Sequence, residues 1–189
     1  MLKWLLKKRV LLLLFLGFTA ILFLSTNWMS WFYPIYFKEE IRKHSSTYQV
    51  DPYLVAAIIR VETNFKTGRE SKKGALGLMQ LMPDTAKWAL EQAKLPDVSM
   101  SRLKNEPSAN IELGAWYLHS LSGQFDGNRT AVIAAYNAGP GTVQRWLADG
   151  SWNGSQEDIK NIPFGETRHY VQRVIYYYNQ YTEIYGGVF

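Results

Sequence analysis

The chain has no cysteine, which excludes a disulfide scaffold, a thiolate metal site, a Cys nucleophile and a lipid-modified N-terminal Cys. Its three histidines, His44, His119 and His169, are scattered without an H-x-x-x-H pair, so no catalytic metal site is predicted and no cofactor is implied. No alternating stretch is long enough to argue for a sheet, and there is no internal repeat or low-complexity tract. Acidic residues are missing from the whole N-terminal segment: the first is Glu39. That gap explains the formal charge of +5. Four of the 21 basic residues, Lys3, Lys7, Lys8 and Arg9, lie in the first nine positions, and the remaining 17 face 16 acids. The body of the protein is therefore nearly neutral and carries no basic footprint for nucleic acid. Hydrophobic residues at 47% and charged residues at 20% describe a chain that folds, and 189 residues leave room for one ordinary domain.

What is present begins with a membrane address. From Val10 to Lys38 no charge intervenes, and Val10–Leu24 reads VLLLLFLGFTAILFL, followed by Trp28, Trp31, Phe32 and Tyr33. Such a run suits a bilayer, whose core takes about 20 helical residues, with aromatic rings at its far interface. The leading basic residues favour a cytoplasmic N-terminus. The expected order is a cytoplasmic basic segment (1–9), a transmembrane signal anchor (10–33), a juxtamembrane segment (34–44) and an extracytoplasmic domain (45–189). A cleaved signal peptide is the competing reading, although Phe23-Leu24-Ser25-Thr26-Asn27 poorly matches a cleavage site.

The exported part reads as helices joined by glycine turns. Residues 37–48 suit a helix with a charged face, and Asp51-Pro52 is an N-cap with proline at the first helical position. Further helices are predicted from Met82 to about Lys94, Ser108 to Leu121, Thr130 to Asn137, Val143 to Ala148 and Glu166 to Tyr185. The fold class is thus all-α: a compact helical domain behind an N-terminal transmembrane helix.

One carboxylate stands out. Leu54, Ile58 and Glu62 are spaced i, i+4, i+8 and share a helix face, so Glu62 ends an apolar stripe at the helix C-terminus. Burial and the helix dipole should both raise its pKa, as a general acid near neutral pH requires. An ordinary last-turn Glu, paired with Arg60 or Lys66, is the alternative. Gly74-Ala75-Leu76-Gly77-Leu78-Met79-Gln80 is a glycine-punctuated loop, and Ala135-Tyr136-Asn137-Ala138-Gly139 ends a helix. A tyrosine ring and amide side chains are tools for a sugar, a stacking face plus hydrogen bonds.

With Val61-Glu62-Thr63-Asn64-Phe65, Ser71, and Pro163-Phe164-Gly165-Glu166-Thr167-Arg168-His169-Tyr170-Val171, these pieces fall in one order. Residues 45–182 resemble the soluble-type lytic transglycosylase domain, a relative of goose-type lysozyme. The resemblance implies a lysozyme-like fold and a peptidoglycan substrate. The β-1,4 bond between N-acetylmuramic acid and N-acetylglucosamine would be cut, leaving a 1,6-anhydro end. It places the family's single acid/base at Glu62, and substrate-binding positions at Ser71, Gln80, Met82, Tyr136 and Glu166, with Asn137 and Tyr170 inside the matching motifs. Where the family usually has Ser after the acid, this chain has Thr63, which keeps the hydroxyl and stiffens χ1.

The implied partners are peptidoglycan glycan strands and, through residues 10–33, the membrane. The implied location is the cell membrane, single-pass, with the domain facing the wall. Two other functions stay open: a hydrolytic muramidase using a second carboxylate (Glu70, Asp84 or Glu166), and a non-catalytic peptidoglycan-binding protein. Lys72 and Lys73 are read as a solvated loop able to meet acidic stem peptides. The tyrosines of the last helix, and Trp88, Trp116, Trp146 and Trp152, are read mainly as packing residues.

Overall fold

The computed structural model describes residues 2–24 and 28–189, and the chain divides into two compact units, Met1–Pro34 and Ile35–Phe189. In the first, α1 (Leu2–Leu24) is one continuous helix and α2 (Met29–Phe32) a separate single turn. The helix begins well before Val10 and includes the basic residues Lys3, Lys7, Lys8 and Arg9. Its described apolar side chains lie open, Leu13 at 67% and Ile21 at 68%. Among the described residues no helix is long and apolar enough to cross a membrane. The part of the uncharged run that lies in α1 is Val10–Leu24, a rise of about 22 Å against a hydrocarbon core of about 30 Å. The expected span over 10–33 is therefore not seen as one element. Ser25–Asn27, at the junction weighed as a cleavage site, lies outside the described residues.

The second unit is helical throughout its regular elements: α3 (Lys38–Tyr48), α4 (Pro52–Glu62), α5 (Pro83–Ala93), α6 (Met100–Asn105), α7 (Pro107–Gln124), α8 (Arg129–Ala138), α9 (Pro140–Ala148), a 3-10 turn (Ile159–Asn161) and α10 (Gly165–Tyr185). Among the described residues the only β pairing is two isolated bridges, Glu70–Leu76 and Leu76–Leu81. Caps set the starts. The Asp51 carboxylate accepts from the Tyr53 N–H at 2.9 Å, and Asn128 accepts from Ala131 at 3.1 Å. Ser99 caps α6, a short helix that the apolar pattern missed.

Residues 35–44 pack as part of the second unit. Ile35, Ile41 and His44 are buried, and α3 packs on α7. Helix α7 also touches α4, α5, α6 and α8, while α10 lies along α4 and α8. Gly123 does not stop α7, which runs to Gln124 and ends where Asp126 and Gly127 adopt positive φ. Ile58, Ile59, Met79 and Leu113 are fully enclosed at the centre. The close passage of the 74–81 loop over α7 needs Gly114, because a Cβ there would collide with the Met79 sulfur.

Candidate active site

Glu62 is the last residue of α4, a helix in which Leu54–Ile59 and Val61 are buried. Its carboxyl is shielded but keeps some contact with solvent. Burial raises its pKa to about 7, and the neighbouring Glu166 charge pushes the same way. The Tyr170 hydroxyl and the Arg173 guanidinium oppose the rise by favouring the carboxylate. At neutral pH the group is thus divided between acid and base, the condition for doing both jobs in one cycle.

Two tyrosines frame it. The Tyr136 hydroxyl donates to the Met79 carbonyl at 2.9 Å, and burial beside Glu62 pushes its pKa well above the ordinary value. Tyr170, on α10, is buried with its hydroxyl directed at Glu62 but in no regular hydrogen bond, and burial raises its pKa too. Both remain protonated donors. Together they supply O–H groups and ring edges to a pocket that excludes water from most of the carboxyl.

The glycine loop is held against this pocket by buried polar groups. The Thr63 hydroxyl donates to the Leu78 carbonyl at 2.8 Å, tying the residue after Glu62 to the loop. The role expected of a Ser at this position is within reach of Thr. Asn110 on α7 accepts from the Met79 N–H at 2.7 Å and donates to the Leu76 and Leu103 carbonyls at 3.0 and 2.8 Å. Gly77, at φ +70°, lies against it: a Cβ would collide with the Leu103 carbonyl and the Asn110 amide. A single buried side chain thus satisfies three backbone groups of two segments.

The remaining sequence-predicted residues are dispersed in role. Gln80, itself at φ +49°, turns its amide back to the Gly77 carbonyl at 2.8 Å. The Ser71 oxygen accepts from the Ala75 and Lys73 N–H groups at 3.0 and 3.2 Å, bracing the loop. Asn137 accepts from the Thr167 hydroxyl at 2.8 Å, which joins α8 to α10. Met82 is exposed at the start of α5, and Glu166 is exposed in the first turn of α10. Sequence reasoning missed Asn110, Thr167 and Arg173. Asn110 had a readable signal, a polar amide between Ala109 and Ile111 within an apolar helical run. Arg173, whose Nη2 reaches the Val61 carbonyl at 3.4 Å, had none.

A helical domain of lysozyme-like architecture, built around one shielded carboxyl at a helix C-terminus, is the class that fold and site define. The chain belongs to the Transglycosylase SLT domain family, whose sequence pattern matches residues 39–159. It is 34% identical over 146 residues to the soluble lytic murein transglycosylase of Escherichia coli K12, covering 77% of this chain and 23% of that protein. It is 36% identical over 155 residues to the membrane-bound lytic murein transglycosylase C of Serratia proteamaculans, covering 71% and 43%. Among solved structures, the 70 kDa soluble lytic transglycosylase of E. coli superposes with a TM-score of 0.77 at 34% identity, covering 82% of this chain and 25% of that one. An inactive Glu-to-Gln mutant of the Pseudomonas aeruginosa enzyme superposes with a TM-score of 0.72 at 38% identity, covering 80% and 24%. The chain spans about a quarter of the length of the soluble relatives it matches.

Proposed function

We propose that this protein is a membrane-anchored peptidoglycan lytic transglycosylase with Glu62 as its sole acid/base. The observation that carries the proposal is the Glu62 carboxyl, shielded between Tyr136 and Tyr170 with a pKa raised to about 7. Protonated Glu62 gives its proton to the glycosidic oxygen between N-acetylmuramic acid and N-acetylglucosamine, and that bond breaks. The N-acetyl group of the muramic sugar stabilises the cationic anomeric carbon from within the substrate. The Glu62 carboxylate then takes the proton from the C6 hydroxyl of that sugar as its oxygen bonds to C1. This closes the anhydro ring and regenerates the acid. Intramolecular attack removes the cost of positioning a water. Arg173 and Tyr170 favour the carboxylate that exists between the two steps. The relatives' names, and the loss of activity that a Glu-to-Gln change brings in one of them, support the assignment.

Ser71, Gln80, Met82, Tyr136, Asn137, Glu166 and Tyr170 are proposed to bind the glycan. Glu166 is the one specific reason to keep a hydrolytic muramidase as the second reading, since it is a carboxylate close enough to act on Glu62. Anchoring through residues 10–33 is supported by the charge-free run after Arg9, by the exposed Leu and Phe side chains of α1, and by the membrane-bound relative. The domain would then face the wall.

Mass analysis of purified peptidoglycan digested with the full chain, beside Glu62→Gln, tests the chemistry. Products lighter by one water than hydrolytic muropeptides, lost in the variant by roughly 10³-fold, are expected. Ordinary reducing ends would assign a muramidase. Normal cutting by Glu62→Gln would overturn the role of Glu62.

A further inference from the structure

The four tryptophans of the domain were expected to be packing residues, and two are: Trp146 is 6% exposed and Trp152 1%. Trp88 is not, with 42% of its surface open. Its indole meets Trp116 at 5.6 Å and an interplanar angle of 60°, and Tyr117 at 6.2 Å and 79°. Neither neighbour stacks flat on it, so no parallel ring covers either indole face. Tyr117 in turn meets Tyr136 at 5.4 Å. Tyr136 lies within the electrostatic reach of Glu62. Two ring contacts, through the buried Tyr117, thus separate the exposed Trp88 from Tyr136 beside the proposed acid/base.

We propose that Trp88, braced by Trp116 and Tyr117, is a sugar-stacking platform that binds a glycan ring of the substrate strand beyond the cleaved bond. The inference rests on the glycan-cleaving reading of Glu62 and extends it to a binding site. Three features fit a pyranose. An indole is a broad apolar face that packs against the C–H side of a sugar ring, at low entropic cost because it has only two rotatable bonds. The platform stands two ring contacts from Tyr136, near enough to Glu62 for one strand to reach both. Polar partners for hydroxyls stand on the same helix face: Glu91 and Gln92 follow Trp88 at i+3 and i+4, and both are exposed. The 60° and 79° contacts fix the indole, so binding need not order it first.

The test uses the full chain in detergent carrying Glu62→Gln, titrated with chitohexaose, a glycan without peptide, and separately with a free stem tetrapeptide. Trp88→Ala in that background is expected to raise the Kd for chitohexaose about tenfold, whereas Trp88→Tyr stays within about threefold. Neither change should move the tetrapeptide. Circular dichroism reports the fold, and Trp88 is exposed enough for truncation to leave the core intact. Equal chitohexaose affinity for Trp88→Ala and its parent would overturn the platform while leaving the chemistry at Glu62 standing. Loss of tetrapeptide binding alone would overturn it in favour of a peptide site. A tenfold loss of chitohexaose affinity beside a Trp88-intact, Glu62-intact chain that leaves peptidoglycan uncut would keep the platform and refute the glycan-cleaving reading. A parent that binds no chitohexaose would overturn both.

Discussion

Two helices of this chain are strongly apolar and have opposite fates. In α1 the leucines and phenylalanines surround the helix, and the described ones are more than half exposed over most of their length. In α4 nearly every position from Leu54 to Val61 is enclosed by α3, α7 and α10, and the one acid in the helix closes it. Hydrophobic content therefore does not by itself distinguish a helix left exposed from one that builds a core. What distinguishes them is whether other elements exist to cover the apolar surface. In α4 the cover is what perturbs Glu62, since burial is the main cause of its raised pKa. The same carboxyl on an uncovered helix would be an ordinary acid.

The sharpest way to break this contrast is a matched pair of charges. Ile58→Asp puts a carboxylate at a fully enclosed site and is expected to cost roughly 4 kcal/mol or more, visible as loss of the thermal transition. Leu14→Asp, at 66% exposure, should leave that transition in place and instead weaken sedimentation with membranes. Unchanged sedimentation would refute the anchor.

The loop that covers the end of α4 gives the next effect. Gly77→Ala is expected to cost about 2–4 kcal/mol in denaturant titration, because its φ is positive and the Asn110 amide and Leu103 carbonyl occupy the space of a Cβ.

Glu62→Gln, proposed to remove activity, should stabilise the fold, by an amount that depends on pH. Below the ordinary value of 4.5 the acid is protonated folded and unfolded, so it costs nothing. As pH rises from 4.5 the unfolded chain ionises first and stability falls, levelling off above about 7. Glu62→Gln should therefore gain about 1–3 kcal/mol at pH 8 and close to none at pH 4, the range allowing for the carboxyl's remaining solvent contact. Equal gains at both pH values would refute a burial-driven shift.

The smallest effect belongs to Arg173. Its charge favours the Glu62 carboxylate, so Arg173→Gln should raise the Glu62 pKa and move the alkaline limb of the activity profile upward by about half a pH unit. A downward move would mean that the guanidinium does not act on Glu62.

Much of this was legible in the residues. Asp51-Pro52 announced the start of α4, and the i, i+4, i+8 register of Leu54, Ile58 and Glu62 put the acid at the end of a stripe that is indeed buried. The illegible parts have one cause: they are contacts between segments distant in the chain. Asn110 reaches back to Leu76 and Met79, Thr167 to Asn137, and Arg173 to Val61. In α3 the charged face was visible in the sequence, but the helix's burial against α7 was not. Trp88 read as a core residue because size and apolarity do not reveal which side of a helix is left without a neighbour.

The sequence by itself determined most of the helices, where most of those begin, and that one Glu would lie among apolar residues, because caps, prolines and periodicity act over a few neighbouring positions. Only the tertiary structure decided what that Glu is. Packing of α8 and α10 near the end of α4 brings Tyr136, Tyr170, Glu166 and Arg173 to bear on it. Burial and the field of charges from remote segments set a pKa, and neither is a property of local sequence.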